Sequence, residues 1–221
     1  TLKADVDKAT RELEALNRLY NVYFQGGEDD PPRNQRKALD TLKKLEPSPL
    51  AVPARANFID AANYDQHLEQ LKHCDLVIEA ISERMDWKAD LYRKVAPHLG
   101  EHAIFASNTS GLSITKLSEA LPEALKPRFC GIHFFNPAQV LPLVEIVRPI
   151  TASNETIDRA TDFVSKIGKE GVHVLDRAGF IVNALLFPYL NNAIRLLIGW
   201  FALVTTAVPP VSLTLSYWML G

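Results

Sequence analysis

Cysteine is nearly absent: the 221 residues contain two, Cys74 and Cys130, and two thiols do not make a disulfide framework. A small secreted disulfide scaffold is excluded, and a reducing, cytoplasmic setting is expected. Charge of either sign is not in excess, with 24 Lys plus Arg against 26 Asp plus Glu. Neither a nucleic-acid-binding surface nor an acidic tail is therefore predicted, and the expected partner is a small molecule. Residues 1–18 carry both signs of charge and lack the apolar core of a secretory signal, so export is not expected. Glycine is scarce in the first half, where only the adjacent Gly26 and Gly27 precede Gly100. Residues 196–221 have no charge at all. That stretch is long enough to span a membrane, but Pro209, Pro210, Ser212, Ser216, Thr205, Thr206 and Thr214 make it a poor spanning helix. Docking on a partner surface is the expectation there.

What is present is a strong alternation of patterns. Val6, Leu13, Leu16, Tyr20 and Tyr23 fall at helical intervals, so residues 2–24 read as an amphipathic helix, stopped by the Gly, Asp and Pro of residues 26–32. Ala38, Leu39, Leu42 and Leu45 predict a second short helix over residues 34–45. After prolines 47, 49 and 53, a helical pattern over 64–73 leads into a short apolar run at 75–80 that reads as a buried strand. Further strands are predicted at 102–106, 129–134, 143–147 and 172–175, and further helices at 85–99, 113–121 and 155–167, the last ended by Gly168. From Gly179 onward the pattern is helical. Strands separated by crossover helices imply an α/β fold with a sheet covered on both faces and ligands beyond the carboxyl ends of its strands.

On this reading four strand-to-loop junctions share one rim: Glu83, residues 107–110, residues 133–137 and residues 176–183. His133 ends an apolar strand just before Asn136 and Pro137, while Glu145 lies in the middle of the next one. A carboxylate buried in a strand is costly without a partner. Imidazole makes such a partner useful, because the carboxylate fixes the ring tautomer and stabilises the imidazolium formed when histidine accepts a proton. Taken singly the same residues have plainer meanings: a core histidine on a carbonyl, a sheet-edge carboxylate, a polar turn at 107–110, and a helix-surface amide at Asn183.

The run His133-Phe134-Phe135-Asn136-Pro137, followed by Leu143-Val144-Glu145-Ile146-Val147, resembles the signature of the 3-hydroxyacyl-CoA dehydrogenase family. Residues 75–80, 105–110, 179–183 and 188–190 are similar to further family stretches in the same order, and the resemblance runs from about residue 34 to residue 195. It implies a Rossmann-like NAD-binding and catalytic domain, an acyl-CoA substrate and, in the family, a helical domain through which two copies associate. The implied reaction is oxidation of a (3S)-3-hydroxyacyl-CoA to the 3-ketoacyl-CoA, with NAD as hydride acceptor, in fatty acid beta-oxidation. It implies that His133 is the general base, that Glu145 orients and stabilises it, and that Asn136 helps position the pair. Ser110 and Asn183 would hydrogen-bond the substrate oxygen. Glu83, Lys88 and Asn108 match family positions near the nicotinamide ribose and carboxamide, although Glu83 and Lys88 could equally be solvated charges at a helix start.

Two regions depart from the family pattern. The family opens on a strand and a G-x-G-x-x-G turn that holds the NAD pyrophosphate, and Gly26 and Gly27 cannot supply that spacing. Residues 1–33 are therefore expected to be a helical segment unlike the family, residues 34–176 an incomplete Rossmann-like domain, and residues 177–221 the start of a helical domain with a divergent apolar tail. A catalytically incompetent remnant serving as a binding or assembly module is the alternative to an active dehydrogenase.

Overall fold

The computed structural model describes residues 58, 59, 62, 64–138 and 140–207, and for 201–207 the backbone alone. The helices expected at 2–24 and 34–45, and the Gly26-Gly27 turn, lie outside the described residues. Contacts divide the chain into two units, 1–180 and 181–221.

The first unit is built on a five-stranded sheet: β1 (Leu76–Glu79), β2 (Ile104–Ser107), β3 (Phe129–Phe134), β4 (Leu143–Arg148) and β5 (Glu170–Leu175), side by side in chain order. β1, β2 and β3 run parallel, β4 runs antiparallel to β3, and β5 parallels β4. The sheet is thus mixed, and one expectation is corrected. Because β5 points the other way from β1–β3, its carboxyl end lies at the opposite rim, and Asp176 does not leave the sheet beside Ser107 and His133. Periodicity shows that a segment is a strand but not which way it runs.

Helices α1 (Met85–Val95) and α2 (Ile114–Ser118) and a 3-10 segment (Leu68–His73) contribute to one core; α3 (Asn154–Lys166) contributes to the other. Strand residues divide between the two cores with period two: Phe105, Phe129 and Val147 join α1 and α2, while Ile104, Ala106, Cys130, Ile132, Val144 and Ile146 join α3. Tyr92 of α1 makes edge contacts with Phe105 at 4.8 Å and Phe129 at 5.5 Å between ring centres. Each such fully buried aromatic stabilises the fold by about 1.5–3 kcal/mol relative to leaving it exposed. Ser153 caps α3 by accepting from Thr156 N, and Gly168, with φ of 73°, follows its end in the left-handed conformation.

Differences from the sequence expectation lie at element ends. Residues 64–73 form a turn and a 3-10 segment in place of an α-helix, and α1 gives way to a 3-10 turn (Ala96–His98) once Pro97 removes an N–H from the ladder. In the second unit, α4 (Val182–Ala207) is a single helix with Pro188 inside it. Among the described residues no helix is long and apolar enough to cross a membrane. Residues 208–221 lie outside the described residues.

Candidate active site

His133 and Glu145 are register partners across the antiparallel pair β3 and β4. Their side chains therefore stand on one sheet face with Cβ atoms about 5 Å apart, close enough to meet without distorting either strand. Nδ1 of His133 lies 2.8 Å from Oε2 of Glu145, and the two residues are 4% and 1% exposed. The sheet-edge reading of Glu145 is thereby overturned. With the carboxylate ionised, Nδ1–H donates to it and Nε2 carries the lone pair. Nε2 has no hydrogen-bond partner among the described residues. The Phe135 ring lies 4.6 Å from the imidazole centre and that of Phe180 5.7 Å, so the imidazole has apolar walls.

On the face of β3 that carries His133, the strand packs closely on Val147 and Ile114. Gly131, two residues back on the same face, has no Cβ, and one placed there would lie 2.8 Å from Val147 Cβ and 3.1 Å from the Ile114 side chain. Phe180 reaches the imidazole from the segment after β5. It has φ of 52° and follows Gly179 with φ of 74°, a left-handed pair that costs Phe180 about 1 kcal/mol or more. Burial of its ring to 4% exposure offsets that cost.

The loop after β2 is held from two sides. Thr109 Oγ1 and Ser110 N both donate to the Glu83 carboxylate, joining the exit of β1 to the exit of β2. Asn108 N donates to Glu79 O at 2.7 Å, and Asn108 Oδ1 accepts from Phe134 N at 2.8 Å. Asn108 thereby ties the ends of β1, β2 and β3 into one rim beside His133. Its amide nitrogen has no partner among the described residues. Ser110 and Asn136 are exposed on loops of that rim, Asn136 forming a cis peptide bond with Pro137. Asn183 is in the first turn of α4, in the second unit.

For Lys88 the alternative of a solvated charge is overturned: it is 0% exposed and donates to Glu79 Oε1 at 2.5 Å and to Ile81 O at 3.0 Å. Glu79 also accepts from Ile81 N, Tyr92 Oη and Ser107 Oγ. This buried network was not anticipated as a unit, yet a signal was present, since Lys88 shares a helical stripe with Leu91, Tyr92 and Val95. Burial and the Glu79 charge hold the Tyr92 hydroxyl far above the usual phenol range and Tyr64 at about 12. Asp176 caps α2 by accepting from Ser113 Oγ, Ile114 N and Thr115 N. Partial burial pushes its carboxyl up, but these hydrogen bonds outweigh that and leave it below the ordinary value. Among the described residues no cluster could hold a metal ion.

Loops at the carboxyl ends of three parallel strands, with a buried His–Glu pair at the last of them, place the candidate site on the ligand-binding rim of a Rossmann-like domain. The profile described as "3-hydroxyacyl-CoA dehydrogenase, NAD binding domain" matches residues 17–177, and the chain belongs to that family. It is 42% identical over 156 residues to a fatty acid oxidation complex trifunctional enzyme of Rickettsia felis, covering 70% of this chain and 22% of that one. Against human mitochondrial hydroxyacyl-coenzyme A dehydrogenase it is 46% identical over 122 residues, covering 55% and 38%. The chain thus spans between about a fifth and two fifths of these relatives' lengths. Among solved structures, FadB2 of M. tuberculosis aligns with a TM-score of 0.71 at 31% identity, covering 84% of this chain and 66% of that one. The (S)-3-hydroxybutyryl-CoA dehydrogenase PaaH1 of Ralstonia eutropha aligns with a TM-score of 0.63 at 36% identity, covering 75% and 57%.

Proposed function

We propose that this chain carries the chemistry of a 3-hydroxyacyl-CoA dehydrogenase, oxidising a (3S)-3-hydroxyacyl-CoA to the 3-ketoacyl-CoA. The carrying observation is the buried contact of 2.8 Å between His133 Nδ1 and Glu145 Oε2, which leaves Nε2 as the acceptor. The substrate hydroxyl donates to Nε2, His133 takes its proton as the carbon–oxygen bond gains double-bond character, and Glu145 stabilises the imidazolium so formed. Asn136, three residues along the chain, helps orient the pair. Ser110 donates to the substrate oxygen, and the family resemblance assigns Asn183 to substrate binding as well. The residues at the rim fit the nicotinamide half of NAD: the Asn108 amide nitrogen is an available donor, and Glu83, though it holds Thr109 and Ser110, retains lone pairs for hydroxyl donors. When bound, NAD supplies the acceptor for the hydrogen and electron pair leaving the substrate carbon. Lys88 joins this set through Glu79 and has one N–H beyond the two it uses there.

Two further parts of the reading concern the setting. The buried free thiols Cys74 and Cys130 support a reducing compartment such as the cytoplasm, and fractionation of the source cells checks it. Exposed Leu185, Phe187, Tyr189 and Leu196 on α4 support association with a second copy, which light scattering at rising concentration reads directly.

The activity test is loss of NADH absorbance when the purified chain is mixed with acetoacetyl-CoA, which runs the reaction toward the 3-hydroxyacyl product. Steady consumption supports the reading. No consumption at high protein concentration, together with no NADH binding, contradicts it.

A further inference from the structure

The Glu79 carboxylate is 5% exposed and saturated with donors: Lys88 Nζ at 2.5 Å and Ile81 N at 2.6 Å on Oε1, Tyr92 Oη and Ser107 Oγ at 2.8 Å each on Oε2. Well-packed apolar residues of similar volume are often as stabilising as a buried ion pair, or more so, so an ion pair here invites an explanation other than stability. Its connections supply one. Glu79 is the register partner of Ser107, and Ser107 Oγ, while donating to Glu79, accepts from Thr109 N at 3.3 Å. The Glu79 backbone carbonyl takes Asn108 N. From the other side, Glu79 fixes Ile81 N at the start of the turn that carries Glu83, and Glu83 takes Thr109 Oγ1 and Ser110 N. One buried carboxylate therefore sets both loops that present Glu83, Asn108 and Ser110.

We infer that Glu79 is a positioning residue of the site, held by Lys88 and Tyr92, and that it acts through Ser107 on the loop 107–110. The inference rests on the function proposed above for Ser110 and Asn108. Ser107 is the link, and the Ser107→Ala change cuts it while leaving the Lys88–Glu79 pair in place. Glu79→Gln is the direct change; its amide keeps an acceptor for Lys88 and a donor for the Tyr92 and Ser107 oxygens but removes the charge.

The test combines amide hydrogen exchange with steady-state kinetics on acetoacetyl-CoA and NADH, using the full chain and both variants. Ser107→Ala is expected to speed exchange at Thr109 and Ser110 while amides of β3 keep their protection, and to lower kcat about tenfold with the KM for acetoacetyl-CoA within about twofold, as loss of orientation at the reacting oxygen does. Glu79→Gln is expected to do the same if it folds, and Ser107→Ala decides the question if it does not. Unchanged exchange at Thr109 and Ser110, or a fall in kcat matched by an equal loss of folded protein, overturns the inference. A wild-type chain that neither consumes nor binds NADH overturns the proposed function instead, while the exchange comparison at Thr109 and Ser110 between wild type and Ser107→Ala still decides the inference.

Discussion

At the scale of single residues, the site rests on one hydrogen bond between two side chains that strand register places face to face. Glu145→Gln keeps an acceptor for His133 Nδ1–H but removes the negative charge that stabilises the imidazolium. Turnover is expected to fall by about 10²-fold or more, as when a general base loses efficiency, with near-normal circular dichroism separating this from unfolding. Glu145→Ala removes the acceptor as well, leaves a cavity and is expected to lower stability by about 3 kcal/mol in denaturant titration. His133 and Glu145 were legible in the sequence as a pair, because each lies in or at the end of an apolar strand where a polar group needs a partner and the motifs around them fall in the family's order. Phe180 was not, because its contact with the imidazole depends on left-handed backbone at residues 179 and 180, which no periodicity records. The burial of Lys88 was only partly legible: a lysine near a helix start is ordinarily solvated, and its place on the stripe of Leu91 and Tyr92 was the one feature that pointed inward.

At the scale of elements, β3 and α2 illustrate how packing constrains the site. A Cβ at Gly131 would crowd Val147 and Ile114, so Gly131→Ala is expected to destabilise by about 1–3 kcal/mol. It is also expected to reduce turnover, since His133 is the next residue on that face of β3; a urea titration alongside an activity assay checks both. Asp176 makes a pH-dependent contribution through α2. Its carboxyl lies below the ordinary range in the fold, so its stabilisation is present above its unfolded value, about pH 4, and is lost as pH falls through the folded value. Asp176→Asn should therefore lower the melting temperature at pH 7, and the gap from wild type should close as pH approaches 3. Strand and helix positions were mostly legible because apolar runs and amphipathic stripes are local. The reversal of β4 and β5 was not, since it depends on which neighbour each strand pairs with.

At the scale of the whole molecule, the family match covers residues 17–177 and the His–Glu pair sits at the carboxyl end of β3, among the loops proposed above to receive the nicotinamide half of NAD. The sequence has no G-x-G-x-x-G, and residues 1–57 lie outside the described part of the structure. Titration of the protein's intrinsic fluorescence with NADH measures how tightly the chain holds the cofactor, and saturable quenching is the expected outcome.

The central claim is that His133 is the base of an NAD-dependent dehydrogenase. It is tested most directly by following NADH at fixed acetoacetyl-CoA with wild-type protein and with His133→Gln at equal folded concentration. The account predicts steady NADH consumption by the wild type and a fall of about 10²–10⁴-fold in the variant, the range expected for loss of a general base. Equal rates in the two proteins, or no consumption by either, would contradict it.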